Sequence, residues 1–87
     1  MSAPHVAAAL REHLPPTAKL LLVALANIVD PSTDTCCPTA DAMADVCGVT
    51  RLTILQTIKK LEAANLVLVK RRSGYPSSYR LLLGGTR

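Results

Sequence analysis

The sequence predicts a mainly α fold closed by a small β-hairpin, an α+β arrangement. Three observations predict it. Apolar residues recur at helical spacing in four separate stretches of the first 64 positions. Pro, Gly and Thr punctuate those stretches where helices start and stop. Two short aliphatic runs then flank a turn holding Gly74 and Pro76. At 87 residues the chain has the size of one domain, spanning 1–87.

Residues 4–13, PHVAAALREH, read as a short helix. Pro4 suits a first helical position, Val6, Leu10 and Leu14 share a face, and Pro15-Pro16 stops it. Residues 17–29 form the strongest helix. Leu21, Leu22, Leu25, Ile28 and Val29 make one apolar stripe, and Leu20, Val23 and Ala24 make a second on nearly the opposite face. Such a helix is buried on several sides, either by helix 4–13 or by another subunit. Residues 30–38, DPSTDTCCP, read as a loop. Residues 39–46 form a third helix with Thr39 as its cap, Asp41 in its first turn, and Met43, Ala44 and Val46 inward. Gly48 suits a positive-φ turn. Residues 50–64 form a fourth helix, capped by Thr50, burying Ile54, Ile58 and Leu61, and ended by Asn65 in the left-handed conformation. Residues 66–83 hold the hairpin: strands at 66–71 and 78–83 around a turn at 72–77.

Hydrophobic residues make up 49% of the chain and charged residues 18%, which excludes a disordered segment. The longest apolar run, Leu20 to Ala26, has seven residues, far short of a membrane span. No secretory leader pattern is present, so a cytoplasmic, nucleoid-associated location is expected. The core has no Trp or Phe, and Tyr75 and Tyr79 are the only aromatics. So small a chain is marginally stable alone, and a partner subunit would help.

Charge is divided unevenly. Residues 1–49 carry Arg11 and Lys19 against five carboxylates, a net −3. Residues 50–87 carry eight cations against Glu62, a net +7. The second half therefore suits a polyanion. Cys36, Cys37 and Cys47 are odd in number and lack zinc-site spacing, and read as small, partly buried hydrophobes. His5 and His13 read as solvated. No phosphate loop, zinc-protease motif or nucleophile-base set is present, so neither catalysis, a metal nor a cofactor is expected.

Residues 39–61 read together as a short helix, a turn at Gly48 and a longer helix, which is the helix-turn-helix layout. A basic hairpin follows, and the whole makes a winged helix. The segment PTADAMADVCGVTRLTILQTIKKLEAANLVLVKRR resembles the winged helix-turn-helix domains of bacterial, plasmid and phage DNA-binding proteins. Its likeness extends to the leading LPPTAKLLLVALANIVD helix, the Cys36-Cys37-Pro38-Thr39 turn and the LEAANLV junction. It covers Leu14 to about Leu83.

The resemblance implies double-stranded DNA as partner, with the first turns of helix 50–64 reading bases. Thr50, Arg51, Leu52, Thr53, Leu55, Gln56, Lys59 and Lys60 are the candidates. Arg51 suits guanine and Gln56 adenine, while Lys59 and Lys60 suit phosphates. Leu52 and Leu55 depart from the usual polar pattern. Either they pack on thymine methyls, or they are core or interface residues and the helix is rotated. Thr39 can serve a phosphate from the preceding helix start. In the wing, Lys70, Arg71, Arg72, Ser73, Gly74, Tyr75, Ser77 and Arg80 are the expected contacts, with Tyr79 packing inward. A homodimer through Val6, Leu10, Leu14, Leu20, Val23 and Ala24 is expected. The role implied is a small transcriptional regulator, or an accessory DNA binder in plasmid or phage replication, partition or recombination. The alternative is a winged-helix protein-interaction module, with Leu52 and Leu55 as the contact patch for a protein partner.

Overall fold

The computed structural model describes residues 3–72 and 75–82, with side chains at 4–71 and 77–82. Four helices and a three-stranded sheet follow one another along the chain. They are α1 (Ala3–Arg11), α2 (Pro16–Ile28), β1 (Thr35–Cys36), α3 (Ala40–Cys47), α4 (Arg51–Ala63), β2 (Val67–Arg72) and β3 (Tyr75–Leu81). The predicted helices are all present, each end within two residues of its expected place.

The second helix is the hub. α2 touches α1, α3 and α4, and Leu21, Leu22, Leu25 and Ala26 are fully enclosed. Around it close Ala8 and Ala9 of α1, Met43 and Cys47 of α3, Ile54, Ile58 and Leu61 of α4, and Val67, Tyr79 and Leu81 of the sheet. Aliphatic and small side chains fill most of the centre, with Tyr79 the one buried aromatic among the described residues, as a chain without Trp or Phe requires.

Two apolar residues expected inside stand outside. Ile28 is 53% exposed and Val46 68% exposed. Each occupies the last turn of its helix, where the chain turns from the core. They flank a shallow, apolar-lined groove between α2 and α3.

The segment 30–38 is not wholly loop. Asp30 accepts Ser32 N–H on Oδ1 at 2.9 Å and Thr33 and Asp34 N–H on its backbone oxygen at 3.2 and 2.8 Å. Asp34 takes φ 60°, which Asp tolerates. This tight turn returns the chain as β1, which pairs antiparallel with β3, Thr35 opposite Arg80 and Cys36 opposite Tyr79. The sheet order is β1-β3-β2, so a third strand joins the hairpin. In the hairpin Val67 faces Leu81 and Val69 faces Tyr79, with an irregularity between Lys70 and Arg72. Strand extends into the stretch 72–77 expected as turn, since β2 runs to Arg72 and β3 begins at Tyr75.

His5 is also a correction. It is 4% exposed, not solvated. Its Nε2 donates to Asp34 Oδ1 at 2.5 Å, tying α1 to the turn before β1. Its Nδ1 is buried without a hydrogen-bond partner among the described residues. Cys36 and Cys47 are buried thiols as expected, whereas Cys37 is exposed.

Candidate nucleic-acid interface

The turn that sets α4 against α3 follows from backbone requirements. Gly48 ends α3 at φ 69°, ψ 31°. A Cβ there would meet nothing within 4 Å, so the glycine supplies a conformation rather than space. Val49 N–H then reaches back to Ala44 O at 3.1 Å, closing the turn. Thr39 and Thr50 start the two helices. Thr39 Oγ1 accepts Ala42 N–H at 3.0 Å, and Thr50 Oγ1 accepts Thr53 N–H at 3.2 Å. The Thr50 and Thr53 hydroxyls also bond each other at 3.0 Å. Thr50 and Thr53 therefore use their hydroxyls to hold the helix start.

The two faces of α4 differ completely. Ile54, Thr57, Ile58 and Leu61 are buried, and Thr57 Oγ1 donates to Thr53 O at 2.7 Å. Arg51, Leu52, Leu55, Gln56, Lys59 and Lys60 are exposed. Leu52 is 64% and Leu55 41% exposed, so the helix is not rotated and neither leucine belongs to the core.

Arg51 and Leu55 line a cleft of about 380 Å³ together with Pro38, Thr39, Ala40 and Asp41 at the start of α3, and Ser77 and Tyr79 of β3. The cleft joins both helices of the motif to the sheet. Its charge is mixed, since the Asp41 carboxylate shares it with the Arg51 guanidinium. Asp41 is expected to favour the helix start but not to share this cleft, because the cleft forms only when β3 comes beside the starts of α3 and α4 in the folded chain. Tyr79 is buried, and desolvation raises its phenol above the ordinary value against the opposing pulls of Ser77 and Arg71.

On the wing, Lys70, Arg71 and Arg80 are exposed and Ser77 is half-buried. Arg71 pairs with Glu62 at the end of α4, Nη2 to Oε1 at 3.6 Å. Such an exposed pair contributes little stability, but it links the wing strand β2 to the end of α4. No sequence spacing rule joins a helix end to the strand after it, so this pairing was not foreseen. The expected contacts Ser73 and Gly74, and the side chains of Arg72 and Tyr75, lie outside the described residues. Of the expected dimer residues, Val6, Leu14, Val23 and Ala24 rest half-buried against the chain's own core. Leu10 and Leu20 stand 54% and 46% exposed.

Residues 12–67, well over half of the chain, match the helix-turn-helix domain family. The chain belongs to that family. The match begins beyond α1 and ends at the first residue of β2, and the sheet that follows makes this helix-turn-helix domain a winged one. The family supports DNA binding in general, and helix-turn-helix domains are typically non-enzymatic. No curated protein matches the chain. Among the described residues no helix is long and apolar enough to cross a membrane.

Proposed function

We propose that this domain binds double-stranded DNA sequence-specifically, with α4 in the major groove. The observation that carries the reading is the outward face of α4. Arg51, Gln56, Lys59 and Lys60 are all exposed there while the opposite face is locked in the core. Arg51 reads guanine and Gln56 adenine through paired hydrogen bonds. Lys59 and Lys60 meet phosphates further along the groove. Thr39 at the start of α3, and Lys70, Arg71, Ser77 and Arg80 of the wing, meet the backbone on either side. Arg71 exchanges its Glu62 partner for a phosphate on binding.

The role is that of a small transcriptional regulator, or of an accessory DNA binder in plasmid or phage replication, partition or recombination, acting at the nucleoid. The domain works as a homodimer. The exposed Leu10 and Leu20 and the small core support a second copy, and two modules give a longer readout than one.

A selection from random duplexes, run at low and near-physiological salt, tests the reading. One enriched motif that survives the higher salt is expected. Arg51→Ala should then lose about 1–3 kcal/mol on that motif and relax its sequence preference. The double change Lys59→Ala and Lys60→Ala should weaken all duplexes alike and flatten the salt dependence. Salt-labile binding without a motif would leave only non-specific attraction, and a protein-interaction module would become the better reading.

A further inference from the structure

We infer that Leu52, flanked by Leu55, is a base-reading residue that packs on the C5-methyl group of thymine in the major groove. The inference rests on the proposed function and names the feature of the DNA that this part of α4 recognises.

The core face of α4 is complete without either leucine, since Ile54 and Leu61 are 0% exposed and Ile58 3%. Leu52, Gln56, Lys59 and Ala63 follow at spacings of four, three and four along the exposed side of the helix. That spacing makes one ridge, and Leu52 is its N-terminal member. In a helix-turn-helix, the N-terminal residues of the recognition helix come closest to the base edges. Leu55 turns from the ridge toward the cleft shared with Arg51.

The surroundings of Leu52 decide among occupants. Arg51 precedes it, Gln56 lies one turn on, and Lys59 and Lys60 two turns on, all exposed. A second copy docked face to face would bring like charges together. An apolar protein surface would leave these cations without partners. Duplex DNA satisfies both requirements at once. Its phosphates take the cations, and its major-groove base edges carry one apolar group, the thymine methyl. The other exposed aliphatic residues of the helices, Leu10, Leu20, Ile28 and Val46, belong to α1, α2 and α3.

The test uses the duplex selected as above. Each thymine in turn is replaced by uracil, which removes only the methyl. Dissociation constants are measured at fixed salt for wild type, Leu52→Ala and Leu55→Ala. Uracil at one or two positions should weaken the wild type about four-fold, the worth of one buried methyl. At the position Leu52 reads, Leu52→Ala should bind thymine and uracil duplexes equally, while Leu55→Ala retains most of the difference. Because Leu52 is exposed, its variant should melt within a few degrees of wild type, separating a lost contact from a lost fold. A uracil scan that is flat throughout, or a penalty undiminished in both variants, overturns the inference and leaves the proposed function standing. A selection that yields no motif overturns the proposed function, and this inference falls with it.

Discussion

The helices α2 and α4 have the same length, thirteen residues, and opposite characters. α2 carries one charge, Lys19, and buries five residues against α1, α3 and α4. Its start is set by Pro16 at a first helical position, without a side-chain cap. α4 carries Arg51, Lys59, Lys60 and Glu62, buries four residues, and starts on the solvent-facing cap Thr50. A helix enclosed on several sides is specified by packing and has little surface left to spend on recognition. A helix buried on one side keeps a free face whose residues can change without unsettling the core. The core's hub and the proposed recognition surface thus lie on different helices, and within α4 the buried and the proposed reading residues lie on different faces.

The largest effect that tests this division is a cavity in α2. Leu25→Ala should lower unfolding free energy by about 2–5 kcal/mol in urea denaturation, and Ile58→Ala on the inner face of α4 should fall in the same range. Gln56→Ala on the outer face should stay within about 0.5 kcal/mol while weakening the selected duplex. A Gln56→Ala protein as destabilised as Leu25→Ala would break the comparison.

The next effect concerns the tie between α1 and the turn before β1. Removing one partner of a buried hydrogen bond costs about 1–3 kcal/mol, so His5→Ala should destabilise by that amount. The loss should appear as faster amide exchange in α1 and β1 before the rest of the domain. Uniform exchange in the variant would show that α1 is held by its alanines alone.

That tie also shows what the sequence could and could not reveal. Local signals were legible: Thr39 and Thr50 as caps, Gly48 and Asn65 as left-handed ends, and the buried face of α4 by its spacing. They depend on neighbours within one or two turns. His5 meets Asp34 across 29 residues, and β1 exists only because Cys36 meets Tyr79 across 43. Two residues of strand carry too little pattern to be read alone. The exposure of Leu52 could be weighed from the sequence but not decided, because the helix's rotation depends on how α2 and the sheet close over its other side. The cleft between α3, α4 and β3 was invisible for the same reason.

Alkaline pH should erode the core side of the comparison. Burial pushes the Cys36 thiol from its ordinary 9.0 up to about 11, with Cys37 adding to the shift. Burial raises Cys47 and Tyr79 as well. Between pH 9 and 11 the unfolded chain releases the Cys36 proton and the folded chain keeps it. The unfolded state then binds fewer protons, so stability falls as pH rises through this window. Cys36 alone should account for about 1 kcal/mol by pH 10. Urea midpoints between pH 8 and pH 11 measure the fall. Cys36→Ala should make it shallower without abolishing it, since Cys47 and Tyr79 act in the same direction.

The smallest effect lies at the two ends that bracket α4. Gly48 before it and Asn65 after it adopt nearly the same left-handed backbone, φ 69° and 60°. Each is followed by the same closing bond, Val49 N–H to Ala44 O at 3.1 Å and Leu66 N–H to Leu61 O at 3.0 Å. One site has the residue best suited to that conformation and the other the second best. Gly48→Ala should therefore cost about 1 kcal/mol through backbone strain alone, since the added methyl meets nothing. Asn65→Gly should gain a few tenths of a kcal/mol, because relief of strain is partly offset by a more flexible unfolded chain. Thermal melts resolve both. Neither change touches the outer ridge of α4, so duplex affinity should follow wild type. A loss of affinity in Gly48→Ala with little loss of stability would mean that this turn sets the angle at which α4 is presented, and that recognition depends on the frame as well as the face.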